Sequence, residues 1–565
     1  MARFGFWRVH SSVRGQLARL ACVGLVLAVS GCAADATPSH APQGSGAAAG
    51  ASAATSAPSA TTSVDTSQLV VDVSTVGSNI WSVAKSGDVM EQVGIGLYDP
   101  LIVVDPKTRQ YVGQLAASWS LSPDGTTWDF KLRPNVQFHD GWGTVTSADV
   151  KYTWEQWIGP DSDHSPLLML SQAVDGNMNN FEIVNDLEFK LHTTHPVVLL
   201  ENVLGISGLQ VTSKKYHDQM GAAADLHPIG TGPWKYVSST PGVNIVFDRN
   251  DSYWGTVPAF KRLILQEVAD ASARLVQVQS GAADIAELDV ALMGEASSAG
   301  LKLVPQNDCC NAFVVVGGMY PGDPAYDRNA PWIQADHPEK GLAIRQAMSL
   351  AIDRPLILSK VINGQGKLSY GVINESANDP NTNDPSWTLP SFDLVLAKQK
   401  LAEGGYPNGF PVTMPLMNLD TNTADIGEAI AGMWEDLGLK VTRVQMEEAV
   451  LRQKQTAKTT AGMAWVMEHG LDQTGATGFL RYLSTAANSK FFDPAIDAAY
   501  AQMVTEPDPA VRWAIYRAAE TKLLNNVSAI PLMTVNKLYV AGPKVGSWDI
   551  VPQLNIISGL ETVKP

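Results

Sequence analysis

An α/β fold built on mixed sheets is what this sequence predicts, and three observations carry the prediction. Segments that alternate like strands and segments with helical spacing follow one another without an internal repeat, the order expected of layered α/β proteins. The 565 residues, 45% apolar and 17% charged, suffice for two or three packed domains. Beyond the N-terminal region no run reaches the roughly 18 apolar residues that a membrane-spanning helix needs.

Taken in order, the elements begin with an export signal over residues 1–31. Arg3, Arg8, Arg14 and Arg19 precede the apolar stretch Leu20 to Val29, too short to stay as a transmembrane helix. Val29-Ser30-Gly31-Cys32 resembles the bacterial lipobox, which implies cleavage before Cys32 and a diacylglyceryl thioether on its sulfur. Two acyl chains bury enough methylenes for stable anchoring, where one would be marginal. Residues 32–66, almost wholly Ala, Ser, Thr, Pro and Gly, cannot repay the entropy of ordering and read as a tether. The net charge is −16, and because the signal carries four arginines and no acid, the rest carries −20. Such a surface repels phosphate backbones, so nucleic acid is excluded as a partner.

Gln68 to Val73 alternates as a first strand and runs into a loop at Ser74 to Asn79; Asp88 to Leu97 has helical spacing. Gln114 to Arg133 is broken at Ser122-Pro123-Asp124-Gly125, where Pro presets the first central turn position, so a hairpin is predicted. Ser147 is the expected N-cap of a helix reaching Trp157. Val243 to Phe247 and Arg262 to Glu267 follow as strands, then Asp270 to Ser280 as a helix closed by Gly281. Lys340 to Ile352, Phe392 to Glu403, Asp425 to Leu437 and Ala510 to Asn525 are expected helices.

Several residues invite a chemical reading. Cys309 and Cys310 are the cysteines left once Cys22 departs with the signal and Cys32 is acylated. Being adjacent, they form either a strained eight-membered vicinal disulfide or two buried thiols, and both alternatives stand. His192 and His195 follow an alternating strand segment and precede Pro196, which puts them on opposite faces and argues against a metal site. The glycines of Gly230-Thr231-Gly232 lack the Lys and Ser/Thr of a phosphate loop and read as a turn. His139-Asp140 has no nucleophile in a recognisable motif beside it, and Trp119, Trp128, Trp142, Trp154 and Trp157 read as core. No hydrolase motif of the Gly-x-Ser-x-Gly or His-Glu-x-x-His kind is present, so the chain is read as a binder, not an enzyme, with no cofactor.

Five ordered blocks carry a resemblance. They are Leu115 to Trp119 with Phe130 to Pro134, Phe138-His139-Asp140-Gly141 and Ala148-Asp149-Val150; Pro228 to Trp234 with Arg249-Asn250, Tyr253-Trp254 and Gly281 to Ile285; Ile344 to Ala347 with Ala351 to Arg354; Ala397-Lys398 with Gly404 to Phe410; and Arg512, Tyr516 and Ile530-Pro531-Leu532. The chain resembles the bacterial extracellular solute-binding proteins of family 5, the peptide and nickel class serving ATP-binding-cassette importers.

The resemblance implies a two-lobed periplasmic-binding-protein-like clamp (type II, peptide-binding class) with an extra inserted domain in the first lobe. Its expected limits are 67–109, 229–309 and 528–565 for lobe I, 110–228 for the inserted domain and 310–527 for lobe II. It further implies a monomeric lipoprotein on the outer face of the cytoplasmic membrane that passes a short peptide to a permease and its ATPase subunits. In peptide-binding members an aspartate seven residues before a Phe-Leu pair accepts the ligand's α-ammonium; Phe479-Leu480 puts Asp472 there. His469 stands where the family has Trp, Ala476 where it has Pro, and Gln473-Thr474-Gly475 replaces a more acidic run. An oligosaccharide or a metal chelate is therefore the alternative ligand, and a secreted hydrolase the remotest reading. Further expected cleft residues are Trp81 and Asn79 after the first strand, Trp465 and Glu468 beside the Asp472 segment, and the Cys309–Cys310 pair near the first crossing strand.

Overall fold

The computed structural model describes residues 64–77, 81–82, 84, 94–105, 107–108, 110–159, 168–206, 210–318, 326–372, 384, 386–417, 422–470, 479, 483, 494–550 and 559–565, all within one compact unit. Its strands are β1 (Leu69–Val73), β2 (Ile102–Val104), β3 (Tyr111–Gly113), β4 (Ala116–Leu121), β5 (Thr127–Leu132), β6 (Phe181–Asn185), β7 (Glu188–His192), β8 (Trp234–Thr240) and β9 (Asn244–Arg249). There follow β10 (Arg262–Glu267), β11 (Ile285–Glu287), β12 (Lys302–Val316), β13 (Gly366–Leu368), β14 (Pro411–Leu416), β15 (Lys440–Gln445), β16 (Ala464–Gly470) and β17 (Ile530–Ala541).

Among the described residues the main sheet has nine strands, in the order β16-β12-β17-β11-β1-β10-β9-β8 with β13 beside β17. It is mixed: β1 runs parallel to β10 and β11, and the other pairs are antiparallel. A separate antiparallel sheet, β4-β5-β7-β6, packs its Phe130, Phe181 and Phe189 against Trp154 of the Ser147–Trp157 helix.

Two strands give the fold its two halves. The first part of β12, Lys302 to Gln306, pairs with Ala541 to Lys537 of β17; its second part, Cys310 to Val314, pairs with Val535 to Ile530. On the flanks β11 touches β17 only at Tyr539 to Ala541, and β16 touches β12 only from Cys310 onward. Both long strands therefore belong to two neighbourhoods. One is filled by Val70, Leu275, Val278, Leu538 and Val540 under the Ala271–Ser280 helix, the other by Ile344, Met348, Trp434, Val466 and Leu532. This mixed α/β body is the two-lobed clamp of the expected class.

Most motif residues prove to be fasteners. Buried Asp99 accepts from Gln114 Nε2 (2.9 Å), Thr231 Oγ1 (2.8 Å), Tyr253 Oη (3.0 Å) and Trp254 Nε1 (2.9 Å), so one carboxylate collects donors from three separate segments of the chain. His139 donates from Nε2 to Gly232 O (2.9 Å) and accepts at Nδ1 from Gly230 N (3.2 Å), which fixes it as the neutral imidazole. Gly230 and Gly232 are required because a Cβ would lie 2.1 Å from Leu97 O and 2.5 Å from Gly96 O respectively. Arg354, 2% exposed, donates to Pro531 O, Ser349 O and Oγ, and Pro390 O, and burial brings its pKa down to about 10.

The predicted elements are recovered with shifted ends. Thr146, not Ser147, is the N-cap, because Asp149 at the third helical position accepts from Thr146 N (2.9 Å) and Oγ1 (2.8 Å); Ser147 Oγ instead donates to Asp186 O. Asp270 caps the next helix and Gly281 closes it at φ 76°, as expected. The helices Pro338–Leu350, Leu394–Glu403, Thr423–Leu437 and Pro509–Asn526 match within a few residues. Of the helix expected at Asp88 to Leu97, Gly94–Leu97 is described and the rest lies outside the described residues.

Candidate ligand-binding site

The crossing of β12 and β17 concentrates buried polar groups. Its register slips: Gln306 faces Lys537 and Cys310 faces Val535, so residues 307–309 stand against the single residue 536. Around the slip Glu287, Gln306, Asn311, Glu468 and Lys537 are all buried. The Lys537 ammonium lies 2.9 Å from Glu287 Oε1 and 5.8 Å from the centre of the Tyr539 ring. Ser74 N, just past β1, donates to Glu287 Oε2 at 2.8 Å. Burial opposes ionisation of Glu287, but the Lys537 charge and the Ser74 donors outweigh it and hold the carboxyl below its ordinary range.

Asn311 ties this region to the segment after β13, donating from Nδ2 to Gly371 O (3.3 Å) and Val372 O (3.4 Å). Cys309 and Cys310 are buried thiols at the slip itself. A hydrogen bond with Cys309, burial and the Glu468 charge push the Cys310 thiol well above its usual range, with Lys537 acting the other way. Among the described residues, then, Glu287 and Lys537 form a buried ion pair, and Glu468 and Lys537 both act on the Cys310 thiol.

The expected cleft residues fall into three classes. Trp81 and Trp465 are core: Trp81, 1% exposed, packs edge-on against Tyr236 and Phe247, and Trp465 is fully buried on β16 opposite Val315. Glu468 lies at the crossing, opposite Ala312, and the backbone of His469 pairs with Asn311 beside it. Asn79, Asp472 and Cys32 lie outside the described residues. Strand β16 is described as far as Gly470, which pairs with Cys310, and Asp472 follows two residues later in the sequence. Lys537 and Glu287 escaped sequence reasoning because each sits in an apolar strand; a lone charge in such a strand was the signal available.

His192 and His195 do not converge. His192 Nε2 lies 2.9 Å from Glu182 Oε2, and His195 Nδ1 lies 3.2 Å from Thr194 Oγ1. Among the described residues no three His, Cys, Asp or Glu side chains gather as metal ligands, and no helix is long and apolar enough to cross a membrane.

Residues 110–491 match the model of the bacterial extracellular solute-binding proteins, family 5. The dipeptide-binding protein of Escherichia coli (strain K12) is 25% identical over 413 residues, 68% of this chain and 73% of that one. A dipeptide-binding protein from Pseudoalteromonas sp. SM9913, solved with Met-Leu, superposes with a TM-score of 0.73 at 18% identity, covering 87% of this chain and 99% of the other. NikA from Brucella suis, solved with Fe(III)-EDTA, gives 0.75 at 20% identity, covering 88% and 99%.

Proposed function

Because the chain belongs to the bacterial extracellular solute-binding proteins of family 5, we propose that it captures a short peptide between its lobes and delivers it to the permease of an ATP-binding-cassette importer. The reading is supported by the described end of β16: Gly470 pairs with Cys310 at the crossing, two residues before Asp472 in the sequence, and Glu287, Glu468 and Lys537 are buried on strands of the same sheet. A carboxylate held there meets a ligand ammonium away from water, where a charge pair counts for more than at a surface.

In this reading Asp472 accepts the α-ammonium, His469 and Glu468 line the same end, and Asn79 approaches from lobe I. Trp81 and Trp465 support the site by packing. The lobes divide at the strand crossing, with 67–109, 229–309 and 528–565 in lobe I, 110–228 inserted and 310–527 in lobe II; the register shift between Gln306 and Cys310 supports the limit at 309, and the first half of β17, with Leu532, packs on the lobe II side. The acylated Cys32 holds the monomer at the outer face of the cytoplasmic membrane by its tether, and the chain performs no catalysis.

The test is to purify the full chain in mild detergent, denature it and identify what is released by mass spectrometry. Peptides of a few residues support the assignment, and Asp472→Ala should then weaken binding by about 3 to 5 kcal/mol, the cost of leaving a buried charge without its partner. A sugar or a metal chelate in the released fraction, or unchanged peptide affinity in the variant, overturns it.

A further inference from the structure

We propose that Cys309 and Cys310 are a reversible modification site, a vicinal disulfide formed at the strand crossing that stiffens the connection between the lobes. The placement carries the inference. Strand β12 shifts register against β17 between Gln306 and Cys310 and gains β16 as a second partner from Cys310, and the cysteines fall at that change: Cys309 is the last residue of the slip, and pairing resumes at Cys310 with both Val535 and Gly470. A ring joining adjacent residues must distort the peptide between them. Inside a regular ladder that distortion would break paired registers on both sides. Here the Cys309 end of the peptide stands outside them, so the slip supplies the slack the ring needs.

The chemistry balances with a small disulfide as oxidant. One thiolate attacks a sulfur of that disulfide and expels a thiolate; the second cysteine attacks the mixed disulfide and expels the other. The two cysteines lose two electrons and two protons, an S–S bond forms between them, and the reagent leaves as two thiols. Burial of both sulfurs and the raised Cys310 pKa make the first step slow in the structure described, so it requires the crossing to open. Ring strain makes the product easier to reduce than a relaxed bridge, which gives a reversible mark. Because β12 and β17 join the two halves of the sheet, a ring that fixes backbone angles in the slip restrains the hinge that the clamp reading requires.

The inference rests on that clamp reading but not on the ligand, and its test uses none. The full chain in detergent is incubated with 2-hydroxyethyl disulfide or with 2-mercaptoethanol, then digested and mapped. In the oxidised sample the peptide holding both cysteines should be lighter by one hydrogen molecule, and amides of 307–311 and 534–537 should exchange at least about fivefold more slowly than in the reduced one. The Cys309→Ser/Cys310→Ser variant should show the same exchange in both reagents. An unchanged peptide mass after long oxidation, or a formed ring with no change in exchange at the crossing, overturns the proposal whatever ligand the protein is found to carry.

Discussion

Replacing Asp72 with Asn should stabilise this protein at neutral pH and leave it unchanged in acid. Asp72 sits in β1 between Gln266 and Ala286, fully buried, and neither of its carboxylate oxygens accepts a hydrogen bond from the described residues. The countercharge that acts on it, Arg274 of the Ala271–Ser280 helix, donates to the carbonyls of Glu287 (2.9 Å), Val268 (2.7 Å) and Ala269 (3.0 Å). Burial accordingly raises the carboxyl from 3.8 to about 6, with Arg274 a partial offset.

The folded chain holds a proton that the unfolded chain releases between about pH 4 and 6, so stability falls as pH rises through that window and is level above it. Roughly two pKa units at 1.36 kcal/mol each make the penalty about 3 kcal/mol at pH 8. The amide carries no charge and escapes it. Hydrogen exchange at β1, β10 and β11 reads the effect locally, without assuming that so long a chain unfolds in one step. At pH 8 those amides should exchange about a hundredfold more slowly in Asp72→Asn, and at pH 4 at the wild-type rate. Equal rates at pH 8 would refute the argument that an unsolvated charge is what the sheet carries there.

Two more outcomes follow from the same accounting. Lys537→Met should destabilise the crossing by about 3 to 5 kcal/mol in urea unfolding by stranding the Glu287 charge, and adding Glu287→Gln should recover most of the loss. A double variant no more stable than the single one would show that the charge is not the cause. His139, neutral and held below its ordinary pKa by burial, should cost stability as pH falls below about 6.5, where the unfolded imidazole gains a proton that the folded one resists. Exchange at Gly230 to Gly232 should quicken from pH 7 to 5 in the wild type and much less in His139→Asn; equal acid sensitivity would count against it.

What could be read from the sequence was whatever is fixed by neighbours along the chain. The Ala271–Ser280 helix carries its own start and stop in Asp270 and Gly281, and the hairpin of β4 and β5 its own turn. Ser147 and Thr146 are equally good caps in isolation; Asp149 decides between them by reaching back to Thr146. Strand β12 was marked only through the place of its cysteines near a crossing strand, because its partners β16 and β17 begin more than 150 residues after Asn307. Asp99 gave no local hint, since its donors come from residues 114, 231, 253 and 254. Of the site, Glu468 and the two cysteines could be marked from their place in the family pattern. The Glu287–Lys537 pair could not, because pairing is a property of sheet order, with β17 lying directly between β11 and β12.

That order also sets a timetable. β17, an interior strand of the main sheet, spans Ile530–Ala541, whereas the neighbours it joins, β11 and β12, are complete by Val316. Throughout synthesis of the 213 residues between β12 and β17 the future neighbours have a gap where their shared partner belongs. The long-range pairing that joins them comes last, and contacts so distant in sequence are slow to form. A keystone strand made after both of its neighbours keeps the sheet open until the stretch that carries it has been made.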